Sequence, residues 1–188
     1  MAEIRDWKGM NDMSARLLLE RTGEGLDAWN QRIRREGFTS EQALRAWLKR
    51  LGVTGYAQSL LVMEQFGYPD FFLASAEDLI DGQYADRPQL RPIFDAVITA
   101  AAALGNVIIQ ARKTYVSLVT PRRTFARVQP TTKNRIDLGL RLAGQKPFGR
   151  LQPSKIHEST PLQISLTSQE DVDAEVLNWL QQAYDQNS

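Results

Sequence analysis

Apolar residues in the first third of the chain recur every three or four positions, with glycines interrupting them. SARLLLERTG ends at Gly23, and LDAWNQRIRREG sets Leu26, Trp29 and Ile33 on one stripe before Gly37. TSEQALRAWLKRLG then carries Ala43, Leu44, Trp47, Leu48 and Leu51 on its inward side. Thr39 and Gln42 have capping-box spacing, in which hydroxyl and amide satisfy each other's free backbone donors. YAQSLLVMEQFG adds a fourth helix with Tyr56, Leu60, Met63 and Phe66 inward. These four pieces make an all-helical unit of about 60 residues, near the lower limit for independent folding.

YPDFFLASAEDL reads as a connector that turns at Pro69 and restarts a short helix at Ser75. Pro88 and Pro92 open a longer helix, RPIFDAVITAAAALG, which Gly105 closes. The period then becomes alternating. VIIQA, KTYVSLV, TFARVQ and RIDLGLRL read as strands with turns at TPRR and PTTKN, and LQISL is a plausible fifth. TSQEDVDAEVLNWLQQAYDQ is helical, with Thr167 and Glu170 in capping-box spacing and acids at the positive end of its dipole. The predicted class is α+β. A small all-helical domain spans 1–72, and an α-β4-α domain with an antiparallel sheet spans 73–188.

Alternation also assigns faces to that sheet. Val116, Leu118, Ala126, Val128, Ile136, Leu138, Leu140 and Leu142 fall on one side, to be covered by the two long helices. Lys113, Tyr115, Ser117, Phe125, Arg127, Gln129, Arg135, Asp137 and Arg141 fall on the other. That second side therefore carries aromatic rings among cations.

Charge sharpens this picture. Of 188 residues, 23 are Lys or Arg and 22 Asp or Glu, so the chain as a whole is almost neutral. Yet Gly105–Ile156 holds eleven Lys and Arg against the single acid Asp137, and the rest of the chain from His157 holds six acids and no Lys or Arg. Such segregation concerns surface potential and partners. Cysteine is absent, which excludes disulfides, thiolate catalysis and Cys-type zinc sites. One histidine, His157, is too few for zincin or facial-triad metal sites, and no nucleophile elbow, Walker loop or GxGxxG occurs. No apolar run nears the ~18 residues that span a bilayer, and MAEIRDWKGMND lacks a signal-peptide core. A cytoplasmic protein without a membrane partner or cofactor is the expectation.

Two stretches carry a resemblance. RTGEGLDAWNQRIRREGFTSEQALRAWLKRLGVTGYAQSLLV resembles a short helical domain of unknown function found at the N-terminus of many small bacterial proteins. KTYVSLVTPRRTFARVQPTTKNRIDLGLRL with LTSQEDVDAEVLNWLQQAYD resembles the α/β domain that accompanies it, sometimes labelled a predicted transport protein. The resemblance implies membership of that bacterial two-domain family and no particular chemistry. Relatives tend to carry His and Arg where this chain has Leu162 and Gln163.

Rings interleaved with Lys and Arg on a sheet are how single-stranded nucleic acid is held, by stacking and phosphate neutralisation. The 19-residue connection Ala143–Pro161 is long for a compact domain and adds Lys146, Phe148 and Arg150. The expected ligand-binding set is Lys113, Tyr115, Phe125, Arg127, Arg135, Lys146, Phe148 and Arg150, holding a polyanion such as nucleic acid. Two alternatives stay open. A small anionic ligand or substrate would sit in a pocket between the sheet and the 143–161 loop, or a second copy of the chain would cover the face in a homodimer.

Overall fold

The computed structural model describes residues 3–188, which form two compact units. The first, Trp7–Ala74, is helical: α1 (Lys8–Thr22), α2 (Leu26–Glu36), α3 (Glu41–Arg50), α4 (Gly55–Phe66) and the short α5 (Asp70–Leu73). Leu18, Trp29, Ile33, Leu44, Leu48, Val53, Ala57, Leu61 and Val62 make its core. Two local expectations are corrected. The α3 cap is Ser40, whose Oγ accepts the Ala43 N–H at 3.3 Å, one residue after Thr39. In α4 the buried residues are Ala57, Leu60, Leu61 and Val62, while Tyr56 and Phe66 are exposed. Helices α1, α2 and α3 all pack on α4, which widens and rotates its inward face.

The second unit joins Ser75–Ser188 to the N-terminal strand β1 (Glu3–Arg5). It continues with α6 (Ala76–Tyr84), a 3-10 turn at Pro88–Leu90 and α7 (Arg91–Ala103). The strands follow: β2 (Ile108–Ala111), β3 (Val116–Val119), β4 (Thr124–Thr132), β5 (Arg135–Leu140), β6 (Gln152–Pro153) and β7 (Leu162–Leu166). Helix α8 (Ala174–Asp185) ends the unit. The class is α+β, but the sheet has seven strands in the order β1-β2-β3-β4-β5-β7-β6. The two strands absent from the sequence reading, β1 and β6, have three residues and two, too few for alternation to register. Only β1 and β2 run parallel; the other neighbours are antiparallel.

Helix α8 lies against β4 and β5, α6 against β2, and α7 beside α8. Val116, Leu118, Ala126, Val128, Ile136, Leu138, Leu140, Ile164 and Leu166 are wholly buried, as strand alternation predicts for a helix-covered face. The C-terminal capping box is Ser168 with Asp171, ahead of a 3-10 turn. Asp173 then caps α8 by accepting the Val176 N–H at 3.1 Å. The expected pair, Thr167 and Glu170, is one residue out of register with it.

Candidate anion-binding site

Register places Ser117 opposite Arg127, Arg127 opposite Gly139, and Gly139 opposite Gln163. This row crosses the face away from the buried leucines. Much of it is covered: Ser117, Arg127, Gly139 and Gln163 are all buried, and so is Asp137 nearby. Part of the cover is the 143–161 connection. A Cβ at Gly139 would stand 2.7 Å from Thr160 Oγ1 and 2.8 Å from Ile156 Cδ1, so any larger residue there would force those side chains to shift. Gln163 Oε1 fastens it further by accepting the Lys155 N–H at 2.7 Å.

Arg127 is the unusual group in this row. It is 8% exposed, its guanidinium carbon lies 3.9 Å from the centroid of the Tyr115 ring, and its Nε has no hydrogen-bond partner among the described residues. Among the described residues no carboxylate reaches it. Burial therefore depresses its pKa from the ordinary arginine value, and the Tyr115 phenol is the one group working the other way. A cation–π contact is worth about 0.5–2 kcal/mol. Burial strips the guanidinium of part of its water, a cost that a carboxylate usually offsets and that none of the described residues offsets here.

The other candidates divide sharply. Phe125 is corrected: it is 0% exposed and meets Tyr184 of α8. The cause is a bulge. Leu118 pairs with Ala126 and Val119 with Thr124, which leaves Phe125 as an extra residue and breaks the alternation. Arg135 is committed to Asp137, with Nη2 donating to Oδ2 and Nε standing near Oδ1, both at 3.2 Å. Asp137, 1% exposed, also accepts the Ser165 hydroxyl at 2.7 Å. Arg150 donates to Asp173 at 2.6 Å, to Glu175 at 3.3 Å and to the Asp171 carbonyl at 2.8 Å. It ties the connection to the start of α8 instead of joining the sheet-face cations from the loop. Lys146 and Phe148 are exposed, Phe148 by 75%, on the same connection. Lys113 and Thr114, in the β2–β3 turn, line a recess with Gln83, Arg87 and Gln129. The residues brought together are thus Tyr115 and Arg127. Ser117, Gln163 and Thr160 lie outside the expected ligand-binding set, although alternation puts Ser117 on this face; for Thr160 the hint is a glycine inside a leucine-rich strand.

The fold and this row define an α+β protein with a helix-backed, mainly antiparallel sheet and, at Arg127, a buried cation that no carboxylate reaches among the described residues. The chain belongs to the family described as a domain of unknown function, DUF5655, whose model matches residues 80–187. No curated protein and no solved structure gives a significant match. Among the described residues no helix is long and apolar enough to cross a membrane.

Proposed function

We propose that the chain is a cytoplasmic binding protein that holds a small anion, through a phosphate or carboxylate group, on Arg127 beside the segment covering Gly139. The observation that carries this reading is the buried guanidinium without a carboxylate. Charge-assisted bonds from guanidinium to such groups are roughly twice as strong as neutral ones, and burial strengthens them further. An extended polynucleotide fits less well. Phe125 faces the helices, Arg135 and Arg150 hold carboxylates, and Arg127 is sunk below the surface.

The test is thermal melting at low ionic strength with inorganic phosphate, acetate and a single-stranded oligonucleotide as separate titrants. Phosphate or acetate is expected to raise the melting temperature of the wild type and leave Arg127→Met unmoved. Equal shifts in both proteins, or none with any titrant, would overturn the reading. Oligonucleotide binding that persists in Arg127→Met would favour the wider face instead.

A further inference from the structure

The recess at the β2–β3 turn has a volume of about 200 Å³ and is lined by Gly82, Gln83, Arg87, Lys113, Thr114, Gln129 and Pro130. Its polar groups are amides, a hydroxyl and cations, with no carboxylate among these lining residues. Gln83 is 6% exposed, and its amide orientation is fixed. Nε2 donates to the Arg112 carbonyl at 2.7 Å and to the Tyr115 carbonyl at 3.2 Å. Among the described residues nothing donates to its Oε1. A buried acceptor without a donor costs about 1–3 kcal/mol, so a ligand O–H or N–H gains by supplying one.

Arg87 is already engaged, with Nη1 donating to the Pro130 carbonyl at 2.9 Å and Nε to Asp86 at 2.7 Å. The recess therefore offers its visitor one unmet acceptor and several donors. That balance suits hydroxyl groups, which both give and accept hydrogen bonds. The volume is below the ~300–1,000 Å³ of sites for drug-sized ligands, which limits the occupant to one small moiety. Gln129 connects the two places: it lies two residues along β4 from Arg127 on the same face, about 7 Å away, and also lines the recess.

We propose that the anion held at Arg127 is a small hydroxylated molecule, a sugar phosphate or hydroxy acid, whose hydroxyl-bearing part occupies the recess of Gln83, Thr114 and Gln129. This rests on Arg127 being the anion site. Calorimetric titration of the full chain with inorganic phosphate, ribose 5-phosphate and ribose tests it. Ribose 5-phosphate is expected to bind at least tenfold more tightly than phosphate, and Gln129→Ala is expected to erase that advantage while phosphate binding persists. Gln83→Met should do the same, but Gln83 also ties α6 to the β2–β3 turn, so Gln129→Ala is the decisive variant. Phosphate binding that needs Arg127 but gains nothing from the sugar would overturn the recess assignment and leave the Arg127 site standing. No binding of phosphate or ribose 5-phosphate would overturn both.

Discussion

The ring of Phe125 meets that of Tyr184 edge-on, with centroids 5.5 Å apart and planes at 83°. The contact depends on the bulge that turns Phe125 toward α8. Phe125→Ala is expected to destabilise the sheet-bearing unit by about 3–5 kcal/mol, as for other buried aromatic truncations. A double-mutant cycle with Tyr184→Leu, followed by urea denaturation, should return a coupling of about 0.5–1.5 kcal/mol. Additive effects would mean that the rings do not interact.

Arg127 should behave in the opposite way. Replacing it with Met removes an uncompensated buried charge and keeps most of the packing on Tyr115. Ligand-free stability is then expected to rise by about 1–3 kcal/mol, the desolvation relief outweighing the lost cation–π contact. Chemical denaturation in an anion-poor buffer checks this. A loss of stability there would mean that the guanidinium has an internal counter-charge after all.

Gly139 is the point where the connection touches the sheet. Gly139→Ala forces Thr160 and Ile156 to move and should cost about 1–3 kcal/mol, the usual penalty for overpacking. Thr160→Gly in the same chain should recover part of that loss. If Gly139→Ala alone is neutral, the segment does not lie where described.

Asp171 and Asp173 give the start of α8 a pH dependence. The Thr167 backbone N–H holds the Asp171 carboxyl below the ordinary aspartate value, and the Val176 backbone N–H does the same for Asp173. Arg150 adds to both as a lesser cause. Groups with depressed folded-state values stabilise fully above the unfolded-state value and lose that contribution as pH falls through the folded one. Stability should therefore fall below about pH 4. Most of the slope should survive in Arg150→Ala, because backbone donors dominate; a flat acid limb in that variant would reverse the ranking.

Helical periodicity and strand alternation mark the α+β class and the longer helices and strands in the sequence, because each buries a continuous apolar stripe. The Arg127 face was legible for the same reason: one residue of slippage would have buried the cations with the helices. Phe125 escaped because a bulge adds a residue without marking the sequence. Arg150 escaped because its partners, Asp173 and Glu175, lie more than twenty residues on, and charge segregation along a chain does not say which opposite charges fold together. Gln83 lies on the short helix expected from Ser75, but nothing in the sequence sets it apart from that helix's other polar residues.

Strand β1 is separated from the rest of its sheet by the sixty-eight residues of the helical unit, Trp7–Ala74, and this sets how the molecule can be dissected. A fragment begun at the sequence-read boundary near residue 73 would lack β1, baring the outer backbone groups of Ile108–Gln110 to any passing strand. Splicing Asp6 directly to Ser75 would retain that guard, so the same excision made two ways should give one fragment that stays dispersed and one that clumps.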